Sequence, residues 1–347
     1  MSNSLLIAGP CAAESEEQLM TTAGMLSEQL KAHQFELAYF RAGVWKPRSK
    51  PTEFKGAGKK AIAWLKQIEQ LYGFTPCVEV AKPEHIDLCE KQGITTFWIG
   101  ARTSVNPFLT EELAEAAKGR DLTIMVKNPM VPDLKLWIGA IERFQKAAVK
   151  QVLAIHRGVA DVNENISRNA PCWEIPIELK VQFPDMPLIC DASHIAGNKR
   201  YLQTLSQIAL DFSFDGLMLE THYNPAVALS DAQQQITPEE LIHLLKSLVF
   251  KEQLNSPVED ALRKQRHLIE HIDTQINRLF QERMKVVDAI AAIKATNKLP
   301  IVDPKQFKKV KERYMNEALQ DEDYITFLSH YLDLLHQTSI QRQLKHE

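Results

Sequence analysis

Hydrophobic residues fall into short, nearly unbroken runs over the first 250 or so positions and into helical spacing beyond them. The runs are SLLIAG (4–9), ELAYFRAG (36–43), TPCVEVA (75–81), TTFWIGA (95–101), TIMVKNP (123–129), QVLAIHRG (151–158), PLICDASH (187–194) and GLMLETH (216–222). Strands that are apolar almost throughout are those covered on both faces. Amphipathic segments separate them, among them 16–33, 57–71, 83–92, 110–118, 133–148 and 198–210. Eight strands alternating with helices over roughly 250 residues predict an α/β fold, the (β/α)8 TIM barrel. A doubly wound sheet is the alternative for any βαβ series, but it seldom strings together eight such units.

From Pro257 the pattern changes. No strand signal remains, and residues 258–298 read as one helix without proline. Pro300 and Asp303-Pro304 mark a break and restart, and a last amphipathic helix is expected at 322–344. The expected domains are therefore a barrel at 1–252 and a small all-α domain of three helices at 257–347, joined by the linker KEQLNSP (251–257).

Composition narrows the class. With 45% hydrophobic and 24% charged residues the chain reads as soluble and globular. A net charge of −3 calls for neither nucleic acid nor an anionic membrane as partner. The first fifteen residues lack the basic start and the apolar run of a signal peptide, and no stretch is long enough to span a membrane. Five cysteines without a CxxC pair fit a reducing compartment, so a cytoplasmic location is expected. Cys77, Cys89, Cys172 and Cys190 read as structural.

In a TIM barrel the active site sits where the strands end. Here those ends carry Cys11, then Arg41 with Lys46 and Arg48, then Arg102, Lys127, His156-Arg157, Asp191 with His194, and Glu220, with Asp231 in the last loop. Independent surface ion pairs would not collect at one end of so many strands. Cys11, His194, Glu220 and Asp231 offer a thiolate, an imidazole and two carboxylates, a donor set for one divalent ion of Mn, Fe, Co or Zn type. Taken singly, each reads as readily as an ordinary core or surface residue, the buried cysteine most of all. Arg41, Lys46, Arg48, Arg102, Lys127 and Arg157 form a cationic group suited to phosphates and carboxylates; the alternative is a solvated rim.

The long helix fits a heptad. One seam position gives Leu262, Ile269, Ile276, Arg283 and Ile290, the other Arg266, Asp273, Phe280, Val287 and Lys294. The apolar majority predicts a face against a core or partner helix. The charges among them read either as interhelical ion pairs that set register, or as an anion pocket in a helical bundle. Arg283 and Lys294 are about 16 Å apart along the axis, room for a ring-sized dianion. Ser339 and Gln343 share one face of the last helix.

The segments GPCAAES (9–15), FRAGVWKPRSKPTEFKGAG (40–58), IGAR (99–102), VK (126–127), HRG (156–158), DASH (191–194) and LMLETHYNPAVALSDAQQ (217–234) resemble 3-deoxy-D-arabino-heptulosonate-7-phosphate synthase in its compact subtype. The resemblance implies condensation of phosphoenolpyruvate with erythrose 4-phosphate at the start of the shikimate pathway. By position it makes Cys11, His194, Glu220 and Asp231 the metal ligands, and Arg41, Lys46, Arg102, Lys127 and Arg157 the phosphoenolpyruvate pocket. Arg48 and Ser49 fall where erythrose 4-phosphate is held, and Lys46 and Lys127 are candidates for proton transfer or charge stabilisation. Asn128 and Ala192 depart from the family pattern without removing a ligand.

The tail segment 262–294, the Pro-x-x-Asp break and SIQRQ (339–343) resemble the all-helical chorismate mutase family. The resemblance implies rearrangement of chorismate to prephenate without a cofactor. Arg266, Arg283 and Lys294 would bind carboxylates and the ether oxygen; Asp303, Ser339 and Gln343 would add hydrogen bonds. Arg266 is expected to reach into a partner's site, which implies a homodimer. Gln306-Phe307 stands where the family usually has Arg-Glu. The chain is thus expected to be a bifunctional enzyme of aromatic amino acid biosynthesis. The alternative makes the tail mainly an allosteric module that senses prephenate or chorismate and inhibits the barrel. A third class, a non-enzymatic barrel with a coiled-coil oligomeriser, would consume no phosphoenolpyruvate.

Overall fold

The computed structural model describes residues 5–48, 50–160, 168–250, 256–317 and 321–345. Contacts divide the chain into two compact units, Met1–Lys251 and Glu252–Glu347. Ser49, one of the expected substrate-binding residues, lies outside the described residues. Among the described residues no helix is long and apolar enough to cross a membrane, and all five cysteines are free thiols.

The first unit is a closed parallel barrel of β1 (Leu5–Gly9), β2 (Tyr39–Ala42), β3 (Pro76–Val80), β4 (Thr96–Ile99), β5 (Thr123–Lys127), β6 (Gln151–His156), β9 (Leu188–Asp191) and β10 (Gly216–Glu220). A small antiparallel pair, β7 (Val159–Ala160) and β8 (Asn169–Ala170), stands between β6 and β9. Each expected run contains one barrel strand and overshoots it by a few loop residues, such as Asn128-Pro129 after β5 and Arg157-Gly158 after β6.

Alternation explains why the strands look apolar throughout. Ile7, Cys77, Trp98, Met125, Leu153, Ile155, Ile189 and Met218 pack together inside the barrel, while their neighbours Ala8, Phe40, Val78, Phe97, Val126 and Leu217 pack under the helices. The same alternation decides which side chains reach the mouth. Two residues beyond an inward-facing core residue come Glu79, Lys127, Arg157, Asp191 and Glu220, all buried. A solitary strand would expose these charges to water; closure gathers them over one apolar floor.

In the second unit the helix Ser256–Thr296 packs on Glu322–Leu344, which also carries Pro304–Glu317. Arg342 clasps Asp288 through two hydrogen bonds of 2.8 and 2.9 Å, and Lys311 reaches both oxygens of Asp333. At 41 residues the first helix is about 61 Å long, more than its two companions cover. Val287 and Ala291 are buried, whereas Leu262, Ile269, Ile272 and Ile276 remain exposed.

Along the seam Arg283 and Lys294 are half-buried, whereas Arg266 and Asp273 are exposed. Seventeen residues separate Arg266 from Arg283, about 26 Å along the axis, so one chain cannot bring them together.

Candidate functional site: the barrel mouth and the tail cavity

The mouth begins with a close approach of two strands. Gly9 has φ +139°, and a Cβ there would lie 2.2 Å from the Arg41 carbonyl oxygen; only glycine lets β1 pass so near β2. That passage sets Cys11 above Arg41. Because Gly9 is in register with Glu220, the ends of β1 and β10 present Cys11 and Glu220 side by side.

Asp231 completes this group from the loop after β10, in a left-handed turn with φ +47°. Ligand atoms of Cys11, Glu220 and Asp231 all lie within 4.8 Å of one another. A tetrahedral ion with bonds near 2.2 Å separates its donors by about 3.6 Å, so the three can share one ion after small shifts. His194 does not follow the strand but stands on the short helix Ala192–Ala196. Its Nδ1 lies 2.8 Å from Asp191 Oδ2, and its Nε2 points toward Glu220 Oε1 at 3.7 Å. A carboxylate on one ring nitrogen leaves the other for a metal.

Electrostatics suit the same use. Burial, with Glu220 adding to it, pushes the Cys11 thiol up to about 12, so the sulfur keeps its proton and donates to Asp231 Oδ2 at 3.1 Å. Burial lowers the His194 imidazole, with Asp191 opposing, and favours its neutral form. Burial alone would raise Asp191, but His194 and Lys127 hold it well below the usual carboxylate range. Two carboxylates, a neutral imidazole and a thiol that needs a cation to ionise fit a divalent transition ion.

The cationic group apart from Arg41, that is Lys46, Arg48, Arg102, Lys127 and Arg157, lines a cavity of about 610 Å³ together with Asp231 and others. Trp98 is its floor, with Arg41 Cζ at 5.0 Å and Lys127 Nζ at 5.7 Å from the ring centroid. Arg41 is fully buried, and its guanidinium nitrogens lack aligned hydrogen-bond partners although Glu220 Oε1 is 2.9 Å away. Lys127 pairs with Asp191 at 2.5 Å, and burial lowers its ammonium against that carboxylate's pull. Lys46 Nζ donates to the Cys11 carbonyl at 3.1 Å and to Sγ at 3.2 Å. Arg48 Nε donates to Phe54 O, and its NH1 lies 3.8 Å from Asp231 Oδ2. Arg102 donates to Pro47 O at 2.9 Å. Arg157, pushed down to about 10 by burial, donates to Asn169 Oδ1 at 2.7 Å. Orphaned donors such as those of Arg41 are costly unless an anion meets them.

One departure acquires a reason. Asn128 Oδ1 accepts the Arg157 N–H at 2.7 Å, and its Nδ2 donates to Gly158 O at 2.8 Å, tying the ends of β5 and β6. Ala192 opens the helix that carries His194, a position that proline would also fit, and nothing in the structure explains the change. Sequence reasoning passed over Glu79 and Arg168. Glu79 lines the cavity two residues past inward Cys77, and period-2 counting along β3 would have found it. Arg168 pairs with Asp231 at 2.9 Å; the sequence around it gives no periodic signal.

His156, prominent at a strand end, turns outward by alternation. Its ring lies among Trp137, Trp173 and Phe214 at 5.7–6.3 Å, with Nε2 2.6 Å from Pro171 O. Burial pushes it down to about 4 from an ordinary 6.5, the Pro171 carbonyl opposing. The unfolded chain therefore binds the proton more tightly. This contribution to stability is complete above pH 6.5 and is lost as pH falls toward 4, by up to about 3 kcal/mol. Urea unfolding of the full chain should show a steeper loss of barrel stability from pH 6.5 to 4.5 than His156→Gln does; equal slopes would refute the assignment.

In the tail, Arg283 NH1 donates to Ser339 Oγ at 2.8 Å and Lys294 Nζ to Ile301 O at 2.5 Å. Lys294 and Gln343 line a cavity of about 410 Å³, and the buried Gln343 has an unpaired Oε1. Asp303 is not brought to this group. It is exposed and accepts the Gln306 N–H at 3.1 Å, capping the second helix because it directly precedes Pro304 at the helix start. Phe307 stacks on His336 with centroids 3.8 Å apart.

The sequence model of the DAHP synthetase I family matches residues 2–255, and that of chorismate mutase type II matches residues 265–344. A phospho-2-dehydro-3-deoxyheptonate aldolase of Thermotoga maritima is 26% identical over 246 residues, covering 70% of this chain and 69% of that protein. A 2-dehydro-3-deoxyphosphooctonate aldolase of Francisella philomiragia is 26% identical over 268 residues, covering 70% and 90%. The solved structure of a DAHP synthase from Thermotoga maritima superposes with a TM-score of 0.60 at 25% identity, covering 70% of this chain and 67% of that one.

Proposed function

The chain belongs to the DAHP synthetase I family and carries a chorismate mutase type II domain behind it, and from that premise we propose how each domain works. Residues 1–252 are assigned to a metal-dependent synthase and 257–347 to a mutase, in one bifunctional shikimate-pathway enzyme of the cytoplasm. The observation that carries the synthase reading is the mouth itself: candidate ligands for one cation beside buried cations over a cavity of substrate size.

Phosphoenolpyruvate lies with its phosphate and carboxylate on Arg41, Lys46, Arg102, Lys127 and Arg157, and erythrose 4-phosphate lies toward Arg48 and Ser49. A divalent ion held by Cys11, His194, Glu220 and Asp231 would supply Lewis acidity at the aldehyde oxygen. C3 of phosphoenolpyruvate bonds to the aldehyde carbon, that oxygen takes a proton, water adds at C2 and inorganic phosphate leaves. Lys46, within 3.2 Å of Cys11 Sγ, is placed to give the proton to the aldehyde oxygen, and Lys127 to steady charge developing at C2.

The two aldolase relatives are named for seven- and eight-carbon products. Three carbons come from phosphoenolpyruvate, so the acceptor decides between them. We expect phosphoenolpyruvate consumption with a four-carbon aldose phosphate and at least tenfold less with a five-carbon one, both suppressed by chelator. Preference for the five-carbon acceptor would reject the substrate assignment.

In the tail no nucleophile or metal is needed, since a pericyclic step is served by holding the reactive conformer. Lys294, Arg283, Ser339 and Gln343 supply that hold. Support for a homodimer comes from the uncovered apolar row Leu262, Leu268, Ile269, Ile272, Ile276 and Leu279, which a second copy's helix would cover while delivering its Arg266. A second reading is a tail that binds prephenate to restrain the barrel, and Gln306-Phe307 in place of the usual Arg-Glu is what favours it. Cutting the chain at Ser256 separates the two: a barrel freed of prephenate inhibition supports sensing, and retained inhibition rejects it.

A further inference from the structure

Two consecutive side-chain amides in the loop after β10 are enclosed at the mouth without a part in the proposed chemistry. Gln235 is 0% exposed. Its Oε1 accepts the Cys11 N–H at 3.0 Å, and its Nε2 donates to the Ser230 carbonyl at 2.9 Å. Gln234 is 1% exposed. Its Nε2 donates to Glu220 Oε2 at 2.7 Å, while its Oε1 accepts from Arg168 at 3.0 Å. The same Arg168 nitrogen donates to Asp231 Oδ1 at 2.9 Å.

Chemistry fixes the sense of both amides. Turning Gln235 over would set its oxygen against a carbonyl and its NH2 against an N–H, and turning Gln234 over would set oxygen against carboxylate. Asp231 precedes them in its left-handed turn, a conformation that a non-glycine residue keeps only when its surroundings hold it. Glu220 is left with Oε1, which has no aligned hydrogen bond and faces His194 Nε2 at 3.7 Å, although Arg41 is near it.

We propose that Gln234 and Gln235 are positioning residues, a two-amide brace that sets the bite of the metal site. Gln235 locks the Cys11 loop to the Asp231 turn, fixing the thiol-to-carboxylate spacing. Gln234 occupies Oε2 of Glu220, so that this carboxylate binds an ion through Oε1 alone. The inference rests on the metal reading above and extends it to residues that touch neither ion nor substrate.

The test titrates the full chain with Mn²⁺ and, separately, records the thiolate-to-metal absorption of the Co²⁺-loaded chain. Gln234→Met and Gln235→Met preserve side-chain length without the amide. Each should weaken Mn²⁺ binding 10- to 100-fold while chorismate turnover by the tail is unchanged. The Co²⁺ thiolate band should weaken in Gln235→Met and persist in Gln234→Met, a difference that general loosening of the fold would not produce. If Gln235→Met fails to fold, Gln234→Met alone decides through its Mn²⁺ affinity. Wild-type affinity in the folded variants, with binding lost in Cys11→Ala, overturns the brace and spares the metal reading. Wild-type affinity in Cys11→Ala overturns both.

Discussion

Replacing Cys11 by alanine is expected to lower phosphoenolpyruvate condensation by about a thousandfold or more and to leave chorismate turnover untouched. The sulfur sits within one ion's reach of Glu220 and Asp231, and Lys46 donates to it. Losing it removes a ligand and disturbs the lysine at once. Several kcal/mol of Lewis-acid stabilisation corresponds to a loss of that size. Alanine is small, and the buried site would close over it with little loss of fold, so thermal unfolding of the variant should stay near wild type. Activity measured with and without chelator checks the claim: a variant that keeps its rate, insensitive to chelator, would refute it.

The second large effect concerns the tail. Lys294→Ala should reduce chorismate turnover by about 10²- to 10³-fold, the usual cost of removing one preorganised donor from developing negative charge, and leave the barrel reaction at its wild-type rate. Lys294 now holds the Ile301 carbonyl, a contact that a ligand carboxylate or ether oxygen would replace. Arg266→Ala should be nearly as damaging although Arg266 lies far from Lys294 along the same helix. Mixing the two variants should restore about a quarter of the wild-type activity, because half the dimers are mixed and each of those keeps one intact site. Failure to restore any activity would argue that each site is built from one chain.

How much could be read beforehand follows from which forces act locally. Barrel strands were legible because both faces are buried, which leaves unbroken apolar runs such as TIMVK and GLMLE. Charges at their ends were legible because nothing in an apolar run accounts for Lys127 or Glu220 except a mouth. Side-chain direction was harder. His156 and Arg157 looked alike as strand-end residues, yet alternation sends one into an aromatic cage and the other into the cavity. Glu79 hid in a run that looked merely apolar, since one acid among Cys77, Val78 and Val80 does not alter the pattern. Gln234 and Gln235 could not be found from sequence, because their role consists of hydrogen bonds to residues more than two hundred positions away, as with Cys11, or across the mouth, as with Glu220.

The tail shows a different limit. Its heptad predicts a face that needs a cover, but a sequence does not say whether the cover comes from the same chain. Helix length keeps Arg266 about 26 Å from Arg283 along the axis, and Arg266 is exposed. Asp303 illustrates competition between roles: an aspartate placed just before a helix-opening proline caps that helix, and its carboxylate is then committed to the backbone.

A cation and an anion are expected to meet at one barrel mouth. Diffraction from crystals of the full chain grown with Mn²⁺ and phosphoenolpyruvate, collected for the anomalous signal of manganese, tests this most directly. The expected map has one strong peak bounded by Cys11, His194, Glu220 and Asp231, with the ligand phosphate against Arg102, Lys127 and Arg157. A peak elsewhere, or phosphoenolpyruvate bound away from those cations, would contradict it.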